Sequence, residues 1–120
     1  MKKREIKQRD IYMCDLTQDS IDSEQKNIHP VVVVSIDIRN STSPNVYIFP
    51  ITHSNKKTQP THIILNKIDY PFFTYNVNTV ICEEGRSISK KRLERFLGEI
   101  SKEDLDKILE CKEYVFIEKY

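Results

Sequence analysis

The chain has 120 residues, a length that suits a single domain with one hydrophobic core. Its 19 basic and 18 acidic residues leave a formal net charge of +1, which excludes a strong overall field that would attract nucleic acid or membranes indiscriminately. Apolar runs are far shorter than the roughly 20 residues of a membrane span, and no apolar stretch follows the basic amino terminus. We therefore expect a cytoplasmic protein without a membrane partner.

Strand patterns dominate the first two thirds of the chain. Five segments have the alternation or the β-branched content of strands: residues 10–16, 30–37, 45–52, 61–65 and 79–84. The valine run after Pro30 predicts a strand buried on both faces, and a proline at its start costs no ladder hydrogen bond. The polar residues 39–45 predict a turn. Five short strands at this spacing predict a small β-barrel.

Helical patterns are confined to the last third of the chain. Leu93, Phe96 and Leu97 recur at helical spacing, and Gly98 supplies a stop, so a short helix is predicted after Ser89. A second, C-terminal helix is predicted from Ser101, because Ser101 with Asp104 forms a capping box and Ile100 with Leu105 a hydrophobic staple. Its apolar stripe must pack on the barrel or on a second subunit; it comprises Leu105, Ile108, Leu109, Val115 and Phe116. The fold class is mainly β (α+β), in one domain over residues 1–120.

The three cysteines predict buried, reduced thiols. Cys14, Cys82 and Cys111 are odd in number, distant along the chain and set in apolar segments, without a CxxC motif or paired histidines. We therefore predict no metal site and no cofactor.

Several polar residues allow two interpretations. His29 lies between a charged loop and the valine strand, where it could be a capped strand end or a catalyst. Arg86 with Ser87 could be a surface turn or could hold a phosphate. The basic run at 90–95 suits a solvated helix face. Five aromatic residues could stack nucleobases or pack the core: Tyr47, Phe49, Phe72, Phe73 and Tyr75.

Five segments in collinear order resemble the MazF/PemK family of toxin endoribonucleases. They are DIYMCDL, SEQ followed by a proline and VVVVS, DIRNSTSPNVYIFPIT, PTHIIL and VICEEGRSISKKRLERFLGEIS. The resemblance implies an SH3-like barrel of the PemK/CcdB type with C-terminal helices, and a homodimer. It also implies sequence-specific, metal-independent cleavage of single-stranded RNA by a growth-inhibiting toxin that a cognate acidic antitoxin neutralises.

The resemblance also implies the site residues. In the family, the residue before the proline is usually an arginine that takes part in proton transfer and charge stabilisation, and a threonine at the end of the third strand assists it. These catalytic positions correspond to His29 and Thr52 in this chain. The implied RNA-binding residues are Ser23, Glu24, Gln25, Glu84, Arg86 and Ser87.

The chemistry of RNA cleavage bears on the substitution at position 29. RNA carries its own nucleophile, the 2′-hydroxyl, so a site needs a base, an acid and donors for the phosphorane charge. Histidine exchanges protons near neutral pH, which arginine does poorly, but a neutral imidazole lacks the permanent charge and the bidentate fork of a guanidinium. The alternative function is therefore a silenced family member that binds an antitoxin, RNA or a gyrase-like protein target without cutting RNA. A plain SH3-like adaptor would have an aromatic groove without a polar site, which the SEQ and EEGRS segments do not favour.

Overall fold

The computed structural model describes residues 4–17, 27–53 and 60–113, which contain seven strands and two α-helices. The strands are β1 (Asp10–Asp15), β2 (Ile28–Val33), β3 (Asn45–Thr52), β4 (His62–Asn66), β5 (Val77–Ile81), β6 (Arg86–Ser89) and β7 (Leu93–Glu99). The helices are α1 (Asp37–Thr42) and α2 (Lys102–Glu113), and short 3-10 turns occupy Cys82–Glu84 and Lys90–Arg92. Neither of these helices has the length and apolar character needed to cross a membrane.

Every strand pairing in these ranges is antiparallel. The hydrogen-bonded order is β4-β5-β3-β2-β1-β7, and β6 pairs with β3 outside this path. Among the described strands the path does not close into a ring. The mainly β class, a small barrel-like sheet with a C-terminal helix, is confirmed, and the described residues contain seven strands where five were predicted.

The valine run of β2 is buried on both faces, as its composition predicts. Val31 and Val33 belong to one buried cluster, whereas Val32 and Val34 belong to another on the opposite face. Alternation of side chains along a strand produces this division. Both clusters exclude water from the centre of the sheet. Polar residues that could bind a ligand therefore lie at the ends of the strands.

Helix α2 covers one face of the sheet and begins where its capping residues predict. The backbone N–H of Asp104 donates to Ser101 Oγ at 3.1 Å, and Leu105 and Ile108 are buried in the larger cluster. Leu109 is partly exposed. The remaining predicted stripe residues, at positions 115 and 116, lie outside the described residues.

The helix predicted after Ser89 is wrong, because this segment forms β7. Leu93 pairs with Cys14 and Phe96 with Tyr12, so a separation of three residues on β7 matches two on β1. The pairing shifts register at this point, as it does at a β-bulge, where one strand contributes an extra residue. The extra residue converts the two-residue period of a strand into a spacing that resembles a helix turn.

The turn predicted over residues 39–45 is partly replaced by α1. The side chain of Asn40 is buried here, where its Nδ2 donates to the carbonyl oxygen of Ser35 at 2.8 Å. Ser35 Oγ in turn donates to Asn40 Oδ1 and accepts from the backbone N–H of Tyr47 at 3.0 Å. This network holds α1 against the start of β3.

The three cysteines are buried and unpaired, which confirms the thiol prediction. Cys82 and Cys111 belong to the larger cluster and Cys14 to the smaller one. Burial raises the pKa of each thiol. Within residues 4–17, 27–53 and 60–113, no three side chains of the types His, Cys, Asp and Glu gather in a group that could hold a metal ion.

Gly85 is required by close packing rather than by an unusual backbone angle. A Cβ atom at this position would lie 2.2 Å from Cε1 of Phe49, a ring that is fully buried. Any larger residue must displace that ring, and overpacking of this kind costs about 1–3 kcal/mol. Gly85 thereby allows the segment that carries Arg86 to run directly over the core.

Candidate functional site

His29 and Thr52 lie across from each other at one end of the sheet. The β2–β3 register pairs Val31 with Pro50, and its continuation by two residues sets His29 opposite Thr52. Residues directly opposite in an antiparallel pair project to the same face. The register also pairs His29 with Cys14, and Thr52 with Thr79. The two side chains implied as catalytic therefore share a face, with further small polar or thiol groups on either side.

The imidazole of His29 is half-buried and already has one polar partner. Its Nε2 lies 2.5 Å from Asn27 Oδ1. Because the amide oxygen can accept but not donate, Nε2 carries the proton in this contact, and the lone pair of the neutral ring is on Nδ1. The contact fixes the ring orientation and leaves Nδ1 as the nitrogen that can take a proton.

Arg86 adds a cation to the same face. In the β3–β6 register it pairs with Ile48, and Ile48 shares a face with Pro50 and Thr52. Burial raises the pKa of the Cys14 thiol to about 11, and the charge of Arg86 opposes that rise. The guanidinium therefore acts on the direct neighbour of His29. It is half-buried and makes no hydrogen bond or ion pair within the described part of the chain.

Arg92 has a supporting role instead of the solvated role predicted for the basic run at 90–95. Its Nη1 donates to the carbonyl oxygen of Thr17 at 2.7 Å and to that of Asp15 at 3.2 Å. These bonds anchor the chain where it leaves β1. Arg92 also opposes the rise in the pKa of Cys14, so the face has two positive charges.

The other residues that the resemblance implies do not gather at this face. Glu84 is exposed at the end of its 3-10 turn. Ser87 pairs with Tyr47 and, as the neighbour of Arg86 on β6, projects to the opposite face. The three loop candidates, Ser23, Glu24 and Gln25, lie outside the described residues. Strand register thus places His29, Thr52 and Arg86 on one face, with Arg86 opposite Ile48, four residues along β3 from Thr52.

A cavity of about 290 Å³ has His29 among its lining residues. His53 and Tyr75 border it with their rings stacked, 3.9 Å between centroids and 17° between planes. Arg95 of β7 lines the same cavity. Sequence reasoning missed this arrangement, because it placed Arg95 on a helix. The available signal was the aromatic content of residues 70–75 between two strands.

Comparison with known proteins identifies the class that this fold and site define. The family model of the PemK-like, MazF-like toxins of type II toxin–antitoxin systems matches residues 7–116. The chain belongs to this family.

Individual relatives agree with this assignment. Endoribonuclease EndoA of Bacillus subtilis is 33% identical over 107 residues, covering 88% of this chain and 90% of that protein. Endoribonuclease MazF of Staphylococcus epidermidis is 34% identical over 109 residues, covering 88% of each. A mycobacterial endoribonuclease solved in complex with its cognate antitoxin superposes with a TM-score of 0.73 at 22% identity, covering 92% of this chain and 94% of that one. The last similarity concerns the fold.

Proposed function

We propose that this chain is an endoribonuclease toxin that cuts single-stranded RNA at short sequences in the cytoplasm, without a metal ion, through attack by the 2′-hydroxyl. The observation that carries the proposal is the position of His29 across from Thr52, with the Arg86 guanidinium on the same face. A base, a hydroxyl donor and a fixed positive charge are the groups that this reaction needs. The two curated relatives are endoribonucleases by name, which supports the same class of reaction.

His29 acts as the proton carrier in this mechanism. Its Nδ1, left free by the Asn27 contact, accepts the proton of the 2′-hydroxyl while that oxygen forms a bond to phosphorus. The bond from phosphorus to the 5′-oxygen breaks, and the imidazolium gives a proton to the departing oxygen. The products are a 2′,3′-cyclic phosphate and a 5′-hydroxyl, and the imidazole returns to its neutral form.

Arg86 and Thr52 stabilise the charge on the phosphorane. A guanidinium can donate two parallel hydrogen bonds to phosphate oxygens, which supplies the fork that His29 lacks. The Thr52 hydroxyl is a single donor on the opposite side of His29 from Cys14. The permanent charge that the family usually has before the proline is thus supplied by a different strand.

Cleavage should persist in excess chelator and should need one particular 2′-hydroxyl. The experiment maps a cut site in mixed single-stranded RNA, then compares RNA with hydrogen in place of the 2′-hydroxyl at that site with RNA changed one nucleotide further along. We expect no cutting of the first and normal cutting of the second, because only the first lacks the nucleophile. Loss of activity with chelator, or fragments with 3′-hydroxyl ends, would contradict the mechanism.

A second candidate function is favoured by one substitution. His29 occupies the position where the family usually has arginine, so the chain could bind RNA, its antitoxin or a protein target without cutting. In that case purified protein would retain RNA affinity and leave mixed RNA intact in the same assay.

We also propose a homodimer, on the basis of an exposed apolar surface. Ile36 and Ile38, at the start of α1, have 57% and 69% of their surface exposed. Phe96 of β7, itself 36% exposed, lines one groove together with Asp37 of α1. Burial of such side chains against a second copy is favourable in proportion to the apolar area covered.

Solution measurements can test for both proposed protein partners, a second copy of this chain and the cognate antitoxin. Light scattering of the chain alone should give the mass of two chains, twice 14.2 kDa. The cognate antitoxin should displace bound RNA, because its acidic segment competes with RNA for the charges of Arg86 and Arg95. Binding of the antitoxin should weaken as the salt concentration is raised. A complex that left RNA binding unchanged would contradict a shared groove.

A further inference from the structure

We infer that the cavity beside His29 binds an unpaired nucleobase next to the bond that is cut, with the His53–Tyr75 pair as its stacking platform. This inference rests on the proposed function, because it assigns a position to one nucleotide of the same RNA.

The aromatic pair has the geometry of a stacking platform. The two rings lie nearly parallel and both border the cavity, and Tyr75 is 51% exposed although it is a large aromatic residue. Proteins recognise unstacked bases of single-stranded RNA by stacking them on aromatic, histidine or arginine planes. A base laid on this pair would extend an existing stack instead of disrupting the core.

The walls of the cavity favour a planar group with a charged attachment. Phe72 and Leu97 are partly buried and supply an apolar wall. Arg95 is exposed and supplies a cation at the same cavity, suited to the phosphate of the bound nucleotide. Apolar walls, a flat ring face and one cation match the chemistry of a nucleotide.

Hydrogen bonds from the Asn78 side chain hold the backbone at Tyr75 in place. Asn78 is buried and lines the cavity, and its Nδ2 donates to the carbonyl oxygen of Tyr75 at 2.9 Å and to that of Leu65 at 3.3 Å. These bonds tie the exposed tyrosine to the β4–β5 hairpin. The platform is therefore preorganised, and less conformational entropy is lost when a base binds.

A larger groove of about 620 Å³ elsewhere on the molecule does not offer the same feature. Its aromatic residue Phe96 already has the Arg4 guanidinium 3.7 Å from its ring centroid and Tyr12 packed edge-on at 5.4 Å. The Arg4 guanidinium therefore already lies over a face of this ring. Within the part of the chain that the structure describes, Tyr75 has His53 as its one ring partner.

The test uses binding rather than cleavage, so that it does not depend on an active catalyst. The probes are four 2′-O-methyl homo-oligonucleotides, which have no free 2′-hydroxyl, and an abasic oligomer of equal length and charge. Wild type should bind at least one base-containing oligomer about 5- to 100-fold more tightly than the abasic one, the range typical of one stacked base. Tyr75→Ala should lose this difference, and Tyr75→Phe, which retains a ring, should keep it.

The outcomes separate the pocket from the catalyst. On RNA that the protein cuts, Tyr75→Ala should raise KM and leave kcat unchanged, because Tyr75 does not take part in proton transfer. If Tyr75→Ala kept the full preference for bases, or weakened binding of the antitoxin alone, the inference would be overturned. If no RNA were cut but the preference for bases disappeared in Tyr75→Ala, the cleavage proposal would fail and the base pocket would stand. Equal thermal midpoints for the three proteins would show that each is folded.

Discussion

His29→Ala should lower the rate of RNA cleavage at saturating RNA by about 10²- to 10⁴-fold, the usual contribution of a positioned acid or base. The reason is the loss of Nδ1, the nitrogen that remains available while Nε2 contacts Asn27. Single-turnover cleavage of a labelled RNA measures the rate. The variant should fold normally, because His29 is half-buried at a strand end and belongs to neither buried cluster.

His29→Arg provides the matched control, since it restores the residue that the family usually carries. Cleavage by wild type should depend on pH, because His29 must accept a proton and then release it in the proposed mechanism. The arginine variant should retain or raise activity without that pH dependence, because a guanidinium stays protonated. Equal rates for wild type and His29→Ala would leave His29 as a strand cap. An inactive wild type with an active His29→Arg would identify a silenced toxin.

Arg86→Ala should lower kcat by about 10²- to 10³-fold, comparable to the loss of one preorganised donor to a developing oxyanion. Arg86 lies on the face of His29 and Thr52, and its charge reaches the neighbouring Cys14. A charge that acts on the phosphorane affects kcat, whereas one that acts on distant phosphates affects affinity. Steady-state kinetics at low salt separate kcat from KM.

Two further variants test the geometry of this effect. Arg86→Lys keeps the charge but loses the fork, so it should recover part of the lost rate. Arg39→Ala removes an exposed arginine on α1 and should leave kcat within twofold of wild type. If Arg86→Ala and Arg39→Ala changed kcat equally, Arg86 would contribute only to the general charge of the surface.

Much of the local structure follows from the sequence alone. The valine run predicts a strand buried on both faces, and Ser101 with Asp104 specifies where α2 begins, because both are patterns formed by neighbouring residues in the chain. The family resemblance likewise rests on collinear local segments, and the family match over residues 7–116 confirms it.

Tertiary structure decided the features that depend on pairing between distant segments. The spacing of Leu93 and Phe96 suits a helix, and only the irregular pairing with β1 makes this segment a strand. That correction moves Arg95 from a solvated helix to the wall of a cavity with Tyr75 and His53, residues far from it in sequence. The sequence by itself determined the valine strand and the cap of α2, since each depends on residues that lie close together in the chain. The shared face of His29, Thr52 and Arg86 was decided by strand register, because a shift of one residue would turn each side chain to the other face.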